Sequence, residues 1–312
     1  MAHLIGIDVG GTSIKAGLFS VDGKLLDVTT VPTGALDNEA EFAKVNEGLQ
    51  ALIASRGVDV ADIVGVGLDV PGPVDSLGNV GMLANIKLDA PAFSDAIKAA
   101  FPQARLAFVN DANAAALGEA WVGAGRGQTD FVMITLGTGV GGGIVSGGRL
   151  IAGHVGAGGE IGHITVNPTE TEHCGCGRRG CLEQYSSASG IVRMYKQECA
   201  ARGEEPAELK GPSDSYTVFK QLAAGSQAAE IAVNRMCEYL ALAMSQLSAV
   251  VDPAIFVIGG GVVGSFDVFK EYLGEKYRAT TLLPTRCSMI VPAELGNEAG
   301  MYGSAYCAMQ LL

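Results

Sequence analysis

Three cysteines, Cys174, Cys176 and Cys181, fall within eight residues, and His163 lies eleven positions before the first. Three thiolates and one imidazole make a full tetrahedral donor set for a structural zinc ion. The glycine-rich, charged run CGCGRRGC is poor core sequence, so a metal explains it better than small buried thiols do. Its C-x-C-x4-C spacing is tighter than the paired C-x2-C of a zinc finger, which points away from nucleic acid. Glu160 and Glu183 bracket the donor set. A zinc tying this stretch together would fix two carboxylates, and the second ring nitrogen of His163, relative to one another, which is a way to build a substrate site.

Other chemistry-bearing residues stand where strands end. LIGID is followed by VGGT, so Asp8 precedes Gly10, Gly11 and Thr12. There, exposed amides and a hydroxyl would converge beside a carboxylate able to hold Mg2+ through water. An Asp in an ordinary hairpin turn is the competing reading, and Lys15 reads equally as a phosphate contact or a solvated strand lysine. IVGVGLDV runs into PGPVD, where Pro71 and Gly72 force a loop. Asn85 follows, a polyol contact or a turn former. Asn110 and Asp111 lie between a strand at 106–109 and a helix from about Ala112, where Asp111 reads either as an N-cap or as a carboxylate facing a ligand. Gly259, Gly260 and Gly261 close another strand and would let a flat ligand or phosphate approach the backbone.

The elements needed to position these residues repeat. Residues 4–26 read as a β-meander, and 130–150, DFVMITLGTGVGGGIVSGGRL, read as a second one, with Thr138 matching Thr12 and a glycine turn in each. Ile134 falls opposite Asp8, so only the first copy carries the acid. Gly137-x-Gly139-x-x-Gly142 matches a dinucleotide fingerprint, but strand and turn follow it where a helix is required, and no G-x4-GK[ST] loop occurs. Helical spacing is read at 36–56, 186–201, 217–224, 227–250 and 296–312, the last with a small-residue face of Ala299, Gly300, Gly303, Ser304 and Ala305.

The chain of 312 residues is 48% hydrophobic and 17% charged, enough for two domains with real cores. With 21 basic against 33 acidic residues its net charge is -12, which disfavours nucleic acid and anionic membrane as partners. Any bound phosphate must then be held mainly by amides and a divalent cation. No leader pattern or long apolar run is read, and the seven cysteines fit a reducing compartment, so the expected location is cytoplasmic.

Taken in order, DVGGT, PGPVD, NDANAAALGE, LGTGVGGG, GEIGH, CGCGRRGCLE and GGG resemble the ROK family of bacterial sugar kinases and repressors over nearly the whole chain. The resemblance implies an α/β, two-domain actin-like ATPase (ribonuclease H-like) fold with duplicated β-meander units and an interdomain cleft. It implies a small domain at 1–115, completed by a C-terminal helix at about 297–312, and a large domain at 116–296 carrying the zinc loop. By the same likeness, Asp8, Gly10, Gly11, Thr12 and Lys15 serve one phosphate loop and Mg2+, Gly137 and Thr138 serve a second, and 259–261 lie by the adenosine of ATP. Asp111 matches the catalytic base. Gly72, Asn85, Asn110, Glu160, His163 and Glu183 match sugar-binding positions, and His163, Cys174, Cys176 and Cys181 the zinc ligands.

The implied reaction is ATP-dependent phosphorylation of the 6-hydroxyl of a hexose, glucose first, with mannose, fructose, allose or N-acetylmannosamine as alternatives. A homodimer is expected. A sugar-responsive repressor would carry some seventy residues of winged helix before the first phosphate motif, and Asp8 stands almost at Met1. A sugar-binding regulator without a DNA-binding domain remains as a remote alternative.

Overall fold

The computed structural model describes residues 1–83 and 86–312, so Asn85 lies outside the described residues. The chain opens with strands β1 (His3–Val9), β2 (Ser13–Ser20) and β3 (Leu25–Pro32), helix α1 (Glu39–Ser55), β4 (Ile63–Val70), α2 (Ala90–Ala100), β5 (Arg105–Asn110) and α3 (Asp111–Trp121). A second series follows: β6 (Phe131–Leu136), β7 (Val140–Ser146), β8 (Arg149–Leu150), α4 (Glu183–Ser186), α5 (Ala188–Arg202), α6 (Ser215–Ala223) and α7 (Gln227–Val251). It ends with β9 (Ile255–Gly259), α8 (Phe266–Thr280), β10 (Met289–Pro292) and α9 (Ala299–Met309).

Two five-stranded sheets form, in the orders β3-β2-β1-β4-β5 and β10-β9-β6-β7-β8. Read from its other edge, the second repeats the first. In each, an antiparallel pair carries the glycine turn, and its first strand pairs in parallel with a later one. The expected duplication is therefore one of topology. β4 and β9 are buried almost throughout, as strands inside a sheet that are apolar but for Asp69 in β4 must be.

The chain folds into two compact units, Met1–Gly127 with Leu150–Gly158 and Glu294–Leu312, and Gln128–Arg149 with Gly159–Ala293. α3 runs without a break past residue 115 to Trp121 and packs along α9, so both helices belong whole to the first unit.

The first unit is closed by α9, whose small face lets the neighbouring backbones come close. A Cβ at Gly303 would lie 1.7 Å from the Ala114 carbonyl oxygen of α3, one at Gly67 would lie 1.7 Å from that of Ser304, and one at Gly6 2.0 Å from that of Met301. Backbone meets backbone here, so side chains are excluded. On the other face of this sheet α1 buries Phe42, Val45, Leu49, Leu52 and Ile53, its N-terminus capped by Asn38 accepting from the Glu41 N–H. The second unit packs α7 and α8 around Met236, Leu240, Phe269 and Leu273. Among the described residues no helix is long and apolar enough to cross a membrane.

Candidate active site

In the first unit, β1 delivers Asp8 to the mouth of the 10–12 turn. Gly10 N–H donates to the Ser13 carbonyl (3.1 Å), the Thr33 hydroxyl donates to the Gly10 carbonyl (2.7 Å), and Thr33 N–H donates to the Thr12 carbonyl (3.2 Å). The carbonyls are thus tied from below, and Gly11 stays exposed at the tip of the turn. Lys15 is the direct cross-strand partner of Asp8. It lowers the Asp8 pKa through its charge, so its place in the structure is beside a carboxylate.

A third acid stands here that sequence reasoning passed over. Asp69, the penultimate residue of β4, is in register with Asp8 on the adjacent parallel strand, so both point to one face. It is fully buried, accepts from the Val9 N–H at 3.3 Å through Oδ1, and has no donor for Oδ2 among the described residues when it is an ion. Burial first, then the charges of Asp8 and Asp111, push Asp69 well above the usual carboxylate range. As a neutral acid it becomes a donor, and Asp8 is the acceptor. Burial also raises Asp8, opposed by the hydrogen bond from Asp69 and by Lys15. The only signal in the sequence was a lone acid inside an otherwise apolar strand.

Asp111 opens α3, but it is not the cap. That position belongs to Asn110, which ends β5 and accepts from the Asn113 N–H (3.1 Å). The cap reading of Asp111 is therefore corrected: β5 runs one residue further than 109, which places Asp111 in the first turn. The Asn110 amide donates to the Gly72 carbonyl (3.1 Å) and to Asp111 Oδ1 (2.9 Å), and Ala112 N–H donates to the same oxygen (2.8 Å). The carboxylate is exposed and fixed, and the PGPVD loop is pinned beside it through Gly72.

The second unit holds the other predicted residues. Gly137 N–H donates to the Gly139 carbonyl (3.0 Å) across the 137–139 turn. Gly260 adopts φ +80°, and a Cβ there would lie 2.5 Å from the Leu136 carbonyl oxygen, so the 259–261 turn lies against the end of β6, next to the 137–139 turn. Gly261 opens a 3-10 turn that leads into α8.

The zinc-type donors converge. The ligand atoms of His163, Cys174, Cys176 and Cys181 all lie within 4.8 Å of one another. Cys176 Sγ is 3.7 Å from Cys181 Sγ, and Cys174 Sγ is 3.8 Å from His163 Nδ1. Zn–S and Zn–N bonds of roughly 2.3 and 2.0 Å would separate sulfurs by about 3.8 Å and sulfur from nitrogen by about 3.6 Å in a tetrahedron. The residues fit. Arg178 braces the site, donating to the His163 carbonyl (3.3 Å) and to Thr165 Oγ1 (3.0 Å). Glu160 is exposed at the start of the short 3-10 turn that carries His163. Half-buried Glu183 opens α4, two residues after Cys181, with Oε1 3.5 Å from Cys174 Sγ and Oε2 accepting from the Val140 N–H at 3.1 Å.

A family model described as ROK family matches residues 4–311. The chain belongs to the ROK family. It is 34% identical to a glucokinase from Halalkalibacterium halodurans, over 98% of this chain and 94% of that one, and 31% identical to an N-acetylmannosamine kinase from Escherichia fergusonii, over 97% of each. A crystal structure of a ROK family glucokinase from Streptomyces griseus in complex with glucose and AMPPNP is similar with a TM-score of 0.75 at 31% identity, covering 99% of this chain and 100% of that one. The α/β, actin-like ATPase fold expected for a ROK protein is thereby established.

Proposed function

We propose that this ROK protein is an ATP-dependent hexose kinase that transfers the γ-phosphoryl group to the 6-hydroxyl of glucose. The observation that carries the reading is Asp111, an exposed carboxylate fixed at Oδ1 by the Asn110 amide and the Ala112 N–H. A sugar hydroxyl is a weak nucleophile. As its oxygen bonds to the γ-phosphorus and the bond to the bridging oxygen of ATP breaks, its proton needs an acceptor, and a positioned carboxylate supplies one.

Gly10, Gly11 and Thr12 offer amides and a hydroxyl to phosphate, as do Gly137 and Thr138, while the bare backbone at 259–261 suits the adenosine. Magnesium, when bound, would neutralise phosphate charge, with Asp8 accepting from its water shell. A zinc held by His163, Cys174, Cys176 and Cys181 would be structural. His163 turns Nδ1 toward Cys174, which leaves Nε2 for a sugar hydroxyl; Gly72, Asn110, Glu160 and Glu183 complete the polar set.

A coupled assay across a hexose panel tests the reading: glucose should have the highest kcat/KM. The N-acetylmannosamine kinase relative favours the second reading, a kinase for another hexose, and a preference for mannose, fructose, allose or N-acetylmannosamine would replace the first. Sugar binding without turnover on any of them would leave a sugar-binding regulator. Light scattering of the same preparation checks the expected homodimer.

A further inference from the structure

The eight residues after the last cysteine of the cluster form a mechanical link. Cys181 belongs to the metal-type donor set. Two residues on, Glu183 places Oε1 3.5 Å from Cys174 Sγ and accepts with Oε2 from the Val140 N–H, 43 positions away in sequence and immediately after the 137–139 turn. Ala188 N–H donates to the Gly137 carbonyl (2.8 Å), and the Ser189 hydroxyl donates to that of Thr138 (3.0 Å). The turn is thus held on both sides by the segment 183–189, whose near end is anchored in the cysteine cluster. The fit is close: a Cβ at Gly139 would lie 2.4 Å from Glu183 Oε2. A recess of about 210 Å3 opens between turn and cluster, with Thr138, Cys174, Glu183 and Ser189 in its wall.

We propose that Glu183 is a positioning residue for the second phosphate turn, so that the cysteine loop sets nucleotide affinity as well as hexose recognition. The inference rests on the phosphate role of the 137–139 turn given above. A carboxylate is the strongest acceptor available to the Val140 N–H, and holding that amide fixes the peptide that follows Gly139. The same carboxylate is the one assigned to a sugar hydroxyl, so hexose and nucleotide would share a single group.

The test is calorimetric binding of AMPPNP with Mg2+ in the absence of hexose, and of glucose in the absence of nucleotide, with zinc content measured on every variant. Glu183→Ala should weaken AMPPNP about tenfold, the effect of one charged hydrogen bond. Glu183→Gln keeps a carbonyl oxygen for the Val140 N–H, so it should bind AMPPNP within about twofold of the wild type while binding glucose more weakly. Gly139→Ala approaches the same contact from the other side without touching a metal ligand. It should also weaken AMPPNP, and adding it to Glu183→Ala should cost nothing further, because the clash is with the side chain already removed.

Additive losses in the double variant, or normal AMPPNP affinity in zinc-replete Glu183→Ala, would overturn the positioning role and leave Glu183 as a sugar acceptor alone. Failure of the wild-type protein to bind AMPPNP would instead sink the ATP reading, and this inference with it.

Discussion

The 10–12 turn and the 137–139 turn each join the antiparallel pair of a meander, yet they are held and charged differently. Around the first stand three carboxylates, Asp8, Asp69 and Asp111, together with Lys15, and its carbonyls are tied by Thr33 just past the end of a neighbouring strand. Around the second, the penultimate strand position that Asp8 holds in β1 is taken by Thr135 in β6, not by Ile134 as the sequence alignment of the two turns suggested, and the ties come from Glu183, Ala188 and Ser189, directly after the cysteine cluster. One topology thus presents glycine turns twice, with carboxylates gathered about the first and ties from the residues after the cysteine cluster about the second.

That contrast breaks most completely if the cluster is removed. Cys176→Ser should lose the metal and with it hexose phosphorylation, as elemental analysis of protein purified without added metal and a coupled assay will show; the untouched protein should carry one zinc per chain. Fully active protein free of zinc would mean that the second turn needs no such support.

A smaller effect probes the acidic copy. Because burial raises Asp69 in the folded state, folding there favours the protonated form. As pH rises past the unfolded value of about 3.9, the wild type must hold a proton that the unfolded chain has released. Asp69→Asn removes that cost. Urea denaturation without magnesium should find the variant progressively more stable relative to wild type as pH rises from about 4, levelling off above the folded-state pKa of Asp69. A difference that stays flat would show Asp69 titrating alike in the folded and unfolded chain, and one that favours the wild type more at higher pH would show it ionised and paired in the fold; either would contradict the account.

Much of this was legible because it is local. Glycine turns, the cysteine spacing and the periodic faces of α1 and α7 are written within short windows, and so was the small face of α9. What escaped depended on neighbours distant in sequence or on faint patterns. Asp69 matters only because β4 lies in register with β1. Choosing between Asn110 and Asp111 as cap needed the end of β5, since either side chain is competent. α2 buries only Phe93 and Ile97, and β10 is four residues at a sheet edge, so neither stood out. α8 is different: Phe266, Phe269, Leu273 and Tyr277 recur at helical spacing, and the signal was there to be read. The tie from Glu183 to Val140 belongs to the tertiary structure alone.

The division of labour between the two copies is tested most directly at Asp111. Asp111→Asn keeps the size of the side chain and an oxygen able to accept from Ala112 N–H, and it abolishes a basic carboxylate. The account predicts kcat lower by roughly 10²-fold or more, the scale of general-base catalysis, with glucose affinity and melting temperature close to wild type. Turnover near the wild-type level in a folded, glucose-binding variant would contradict it, and the proton acceptor would have to be sought elsewhere.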